Sequence, residues 1–72
     1  MERLEKSIFY FIQNRNKNEE STSIRNIHIR FGMDMKEIEL ILEEFLEKNL
    51  ISKYYDEQYQ EERYIPKSTV KE

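Results

Sequence analysis

Phe31-Gly32-Met33-Asp34-Met35-Lys36-Glu37-Ile38, continuing through Glu39 to Lys48 and ending in Asn49-Leu50-Ile51, is the stretch on which the fold of this chain turns. Gly32 is suited to the left-handed conformation that closes a helix. Asp34 and Glu37 stand at capping-box spacing, the signature of a helix start. Ile38, Ile41, Leu42, Phe45 and Leu46 then recur at the spacing of one helical face. Asn49 takes the place that Gly often fills just past a helix end. The stretch therefore predicts a helix end, a tight turn, an amphipathic helix from about Met35 to Lys48, a stop and a strand.

Upstream, Ile24, Ile27, His28 and Phe31 give the i, i+3, i+4, i+7 face of a short helix that Gly32 closes. Ser21, Thr22 and Ser23 are all competent N-caps for it. Leu4, Ile8, Phe11 and Ile12 define a first helix over about residues 2–15. The polar run Asn14-Arg15-Asn16-Lys17-Asn18 is expected to break it. Glu19 to Thr22 reads as a short extended segment. Downstream, Leu50-Ile51 opens a strand continued by Lys53-Tyr54-Tyr55, with a turn at Asp56-Glu57-Gln58 and a return over Tyr59 to Ile65. Pro66 ends the pairing. Residues 67–72 form a polar tail expected to fray. The expected core holds Ile27, Phe31, Ile38, Leu42, Phe45, Leu46 and Leu50.

Helix, extended segment, helix, tight turn, helix and hairpin is an order that resembles the winged helix-turn-helix superfamily over roughly residues 4–66. Ile24, Ile27 and Phe31, Gly32-Met33 in the turn, and Ile38, Leu42, Phe45 and Leu46 carry the resemblance. Asn49-Leu50-Ile51 is similar to the family's Gly-Leu-Ile/Val signal at the end of the third helix. The resemblance implies one winged-helix domain over residues 1–66, mainly α with a small β-hairpin. It further implies a transcriptional regulator with its third helix in the DNA major groove, although a minority of such domains bind proteins. His28 departs from the pattern, standing where a small residue usually packs between the second and third helices. The wing also lacks its usual Gly.

Bulk composition narrows the function. Seventy-two residues make one small domain, which buries only about 60% of its unfolded surface, so a second copy or a partner is expected to help complete its core. There is no cysteine, and one histidine. No apolar run reaches the roughly 18 residues of a membrane span, and the N-terminal residues lack a signal-peptide core. A cytoplasmic protein is expected. Without a Cys–His pair or a Gly-rich phosphate loop, neither an enzyme nor a cofactor or metal site is expected. Glu39 with Glu43, and Glu43 with Glu47, are carboxylate pairs one turn apart, but on an exposed helix such pairs form a solvated face. His28 at a core-facing helical position reads as a packed, hydrogen-bonded residue.

The charge is unevenly shared. Residues 1–31 carry six Lys/Arg against four Asp/Glu, and residues 32–72 carry six against eleven. The third helix turns Lys36, Glu39, Leu40, Glu43 and Glu47 away from its core face, and DNA carries a phosphate charge about every 1.7 Å of axis. Double-stranded DNA as a partner therefore demands cations from elsewhere: Arg25, Arg30, Lys36, Lys53 and Arg63 are the candidates, with Lys67 near the wing. The alternative is a protein–protein module, an inhibitor or assembly factor, that meets a basic partner through Glu39, Leu40 and Glu43. Phe9 and Tyr10 cannot both reach a core already lined by Ile8, Phe11 and Ile12. One of them is expected on the surface, pointing to a homodimer or partner contact through the first helix. Four of the five tyrosines fall in the hairpin, where cross-strand aromatic pairs are expected to stabilise it.

Overall fold

The structure, a computed structural model, describes residues 2–67. Three helices precede one antiparallel hairpin: α1 (Arg3–Lys17), α2 (Ile24–Phe31), α3 (Met35–Glu47), β1 (Ile51–Asp56) and β2 (Glu61–Pro66). The mainly α architecture with a small hairpin is the one the sequence predicts. No described helix is long and apolar enough to cross a membrane.

Each helix stops for a local reason. Gly32, at φ 67°, caps α2 and donates its N–H to the His28 carbonyl at 2.8 Å. Asn49, at φ 61°, ends α3 with two backbone bonds: Asn49 donates to Leu46 at 3.1 Å and Leu50 to Phe45 at 2.9 Å. That pair is the Schellman pattern. The same pattern ends α1, with Glu19 at φ 62° in the left-handed position and Glu20 N–H on the Arg15 carbonyl at 2.9 Å. The polar run expected to break α1 is therefore its last turn. Asn18 helps by donating its side-chain amide to the Asn14 carbonyl.

Helix starts divide differently from the sequence reading. Of the three cap candidates, Ser23 caps α2, in a reciprocal box with Asn26: Asn26 N–H donates to Ser23 Oγ at 3.1 Å, and Ser23 N–H to Asn26 Oδ1 at 2.9 Å. The box expected at Asp34 and Glu37 does not form, since the Asp34 side chain makes no cap hydrogen bond. Both carboxylates are exposed, and what they keep is a favourable position at the positive end of α3.

The core comprises Ile8, Ile12, Ile27, Ile38, Leu42, Phe45, Ile51 and Tyr64. Phe31, Leu46 and Leu50 pack against its margin rather than inside it. Leu4 lies on the surface, where the end of α1 overhangs the packed layer. His28 is exposed as well, because its ring leans out over the turn, with Nδ1 bonded to the Met33 carbonyl. It thus ties α2 to the turn and does not wedge α2 from α3.

The hairpin pairs Lys53 with Tyr64, Tyr54 with Arg63 and Tyr55 with Glu62. No tyrosine faces another across the ladder, so the expected aromatic pairs are replaced by aromatic–charge pairs. The loop spans Glu57 to Gln60, longer than expected, and takes in Tyr59. Asp56 Oδ1 accepts from the N–H groups of Gln58 and Tyr59, and Gln60 supplies the left-handed residue at φ 55°. The segment before α2 joins this sheet, since Thr22 and Tyr64 exchange both backbone bonds at 3.0 and 2.7 Å. Lys67 is drawn back by its N–H to the Leu50 carbonyl; the remainder of the expected tail lies outside the described residues.

Tyr64 is buried, and desolvation of its phenolate raises its pKa above the ordinary 10.0. The folded state then holds the phenol proton more tightly than the unfolded state. This contribution is complete below the ordinary tyrosine pKa and is lost as pH rises through the folded value. Lys53, also raised by its bond to Glu62, acts in the same direction and window. Urea unfolding is therefore expected to show a lower midpoint at about pH 11 than at about pH 9, with a flatter dependence in Tyr64→Phe. An equally steep fall in the variant would assign the effect to other groups.

Candidate functional site

The outer face of α3 is an exposed, strongly charged surface. Ile38, Leu42 and Phe45 fix the helix against the core, and the period of 3.6 residues turns Lys36, Glu39, Leu40, Glu43 and Glu47 to solvent. Leu40, at 68% exposure, lies in the middle of the stripe. Glu39 and Glu43 both face the hairpin closely enough to act on the buried Tyr64 phenol, raising its pKa as minor causes beside burial. The stripe therefore combines an apolar centre, carboxylates on two sides and one lysine at its N-terminal end.

The five candidate DNA-contacting cations divide: Lys36 lies within this stripe, Arg25 and Lys53 lie near its Glu39 and Glu43, and Arg30 and Arg63 sit elsewhere. Arg25, at the start of α2, borders a depression that also carries Glu39, Glu61 and Glu62. Arg30 lies at the opposite end of α2, its guanidinium 5.3 Å from the Phe31 ring centroid. Lys53 is bound to Glu62 at 3.1 Å. Lys36 is exposed within the acidic stripe.

Arg63 is committed to the fold. Its side chain sits in β2 at 8% exposure, donating Nε–H to Ser21 Oγ at 2.8 Å, Nη2–H to the Ser21 carbonyl at 3.0 Å, and Nη1–H to Glu61. The guanidinium also stacks 4.6 Å from the Tyr59 ring centroid. Arg15, from the last turn of α1, reaches the same Ser21 carbonyl with Nη2–H at 2.8 Å and Nε–H at 3.1 Å. Two arginines thus converge on one carbonyl oxygen and join α1, the segment before α2 and the hairpin. Three of the five N–H donors of Arg63, including its whole Nε–Nη2 edge, are thus engaged within the fold.

This clamp was not legible in the sequence. Arg15 and Arg63 lie 48 positions apart; the first reads as part of a helix-breaking polar run and the second as a candidate DNA contact. The one available signal was the run Ser21-Thr22-Ser23, whose small hydroxyl residues suit a crowded, hydrogen-bonded corner.

Of the aromatic pair on α1, Phe9 packs edge-on to Phe45 with centroids 5.7 Å apart, and Tyr10 is 61% exposed. Tyr10 borders a depression with Phe11, Asn14, Arg30 and Phe31. Among the described residues no group of three His, Cys, Asp or Glu is placed to hold a metal ion. No family model, curated protein or solved structure matches the chain.

Proposed function

We propose that this protein is a winged-helix protein-binding module, a small inhibitor or assembly factor that receives a basic helix of a partner on the outer face of α3. The observation that carries the reading is the exposed Glu39, Glu43 and Glu47 stripe around Leu40, with two of the five candidate cations, Lys53 and Arg63, already paired within the fold. A duplex approaching this face meets carboxylates first, whereas a basic helix with one apolar anchor meets opposite charge and a site for the anchor. The same reading is of a cytoplasmic protein, supported by the lack of cysteine.

The test is fluorescence anisotropy with two labelled probes, a Lys/Leu amphipathic helical peptide and a mixed-sequence DNA duplex, across a salt series. The peptide is expected to bind and to weaken as salt rises. Changing Glu39 and Glu43 together to Lys should abolish that binding with the thermal midpoint nearly unchanged, since both residues are exposed. The duplex is expected not to bind even at low salt. Duplex binding with a log–log salt slope of roughly −3 to −5 would instead favour a DNA-binding regulator working through Arg25, Arg30 and Lys36. No peptide binding would sink the present reading.

A further inference from the structure

We infer that the basic helix received by α3 is α1 of a second copy of this chain, lying antiparallel across the acidic stripe. The inference rests on the reading of α3 as a protein-binding face and names its occupant. Arg3, Lys6, Tyr10, Asn14 and Lys17 are all exposed and recur at the spacing of one helical face, opposite the buried Ile8 and Ile12. Glu2, at the N-cap, borders that face, and Glu5 is half-buried on the core side of the helix. The outer face of α1 is thus a basic stripe around one exposed aromatic ring, and that of α3 an acidic stripe around one exposed leucine.

The order of residues along the two stripes selects the direction of the contact. Four helical residues advance about 6 Å, so equal offsets on two helices stay in step. With Tyr10 on Leu40 and the helices antiparallel, Lys6 comes level with Glu43 and with Glu44, which already pairs with Lys48 at 3.2 Å, and Arg3 with Glu47. At the other end Asn14 comes level with Lys36, and Lys17 approaches Asp34. The parallel arrangement brings Arg3 to Asp34 and Lys17 to Glu47 but sets Lys6 against Lys36, giving two attractive pairs and one repulsive pair where the antiparallel one gives three attractive pairs. Antiparallel docking also brings the positive end of α1 to the negative end of α3. Arg30, on the rim of the depression beside Tyr10, adds a further positive charge to the α1 side.

The two faces belong to different helices, so every copy carries both halves of the contact. Sedimentation velocity on the full chain, from micromolar to millimolar concentration, is the experiment. At low salt the sedimentation coefficient is expected to rise with concentration, and at high salt to return to the monomer value. Arg3→Glu with Lys6→Glu removes one half of the contact, and Glu43→Lys with Glu47→Lys removes the other. Each double variant alone should be monomeric and keep its thermal midpoint, because all four positions are exposed. An equimolar mixture of the two keeps one intact half from each and should re-form a complex of two chains.

A wild-type chain that stays monomeric at low salt would overturn the inference. If α3 still binds the Lys/Leu peptide in that case, the protein-binding reading stands and only the occupant is wrong. Self-association that neither double variant changes would also overturn it, because the contact would then lie on another face.

Discussion

Phe45→Ala is expected to leave the chain without a cooperative unfolding transition. Phe45 is the largest side chain buried to 1% exposure, in the last turn of α3, packed with the buried isoleucines of the core and the ring of Phe9. Its truncation removes the edge-on aromatic contact and leaves a cavity that three short helices cannot close. Such a change costs about 3–5 kcal/mol. At roughly 0.05–0.15 kcal/mol per residue, the whole domain has only about 4–11 kcal/mol to lose. The control is Tyr10→Ala, one residue on from Phe9 in α1, which exchanges a mostly exposed ring for a methyl group and should barely move the midpoint. Circular dichroism through a urea titration distinguishes them. A Phe45→Ala transition as steep and as late as the wild type's would mean that the helices are held together by something other than this core.

The second large effect is expected at Arg63. Removing it strips a buried corner of four interactions, with Ser21 Oγ, the Ser21 carbonyl, Glu61 and the Tyr59 ring, and leaves the Glu61 carboxylate without its partner. Breaking one side of a buried charged pair costs about 3–5 kcal/mol, and because Glu61 keeps some access to water the low end applies to Arg63→Ala. Arg63→Lys should recover little of it. An ammonium keeps the charge but cannot send two parallel N–H groups to Ser21 while a third meets Glu61. Hydrogen exchange locates the damage: the Thr22 and Tyr64 amides, which close the bridge beside the clamp, should lose protection first. A lysine variant as stable as the wild type would show that charge alone, not the planar fork, holds the corner.

Periodicity made the helices and the strand after Asn49 legible, because each is decided by neighbours a few positions away. Ile38, Leu42 and Phe45 had to share one face, and Gly32 and Asn49 had to take left-handed conformations for those faces to meet. The stop of α1 was misread because propensity counts residue types. The terminating residue is Glu19, whose left-handed conformation is held by the two Schellman bonds and not by any preference of glutamate. Tyr64 entered the core, and Tyr59 left the strand, because hairpin register depends on loop length, and a loop without Gly gives no length signal. The exposed stripe on α3 was readable for the same reason as its core face, being its complement. The fate of Arg63 was not, since burial of an arginine depends on partners 2 and 42 positions away.

The Ser21 clamp bears on how the chain acquires its structure as it leaves the ribosome. Helices α1, α2 and α3 emerge first, each with its own cap, yet the corner where α1 meets the α2 lead-in is half-built until Arg63 arrives. Thr22 has no backbone partner until Tyr64 arrives with it. The nascent three-helix segment therefore exposes the apolar surface that Ile51 and Tyr64 later cover, and local helix formation proceeds without final closure. Consolidation becomes a late event, triggered by β2, in which the latch arginine and the last core side chain, Tyr64, are delivered by the same six-residue strand.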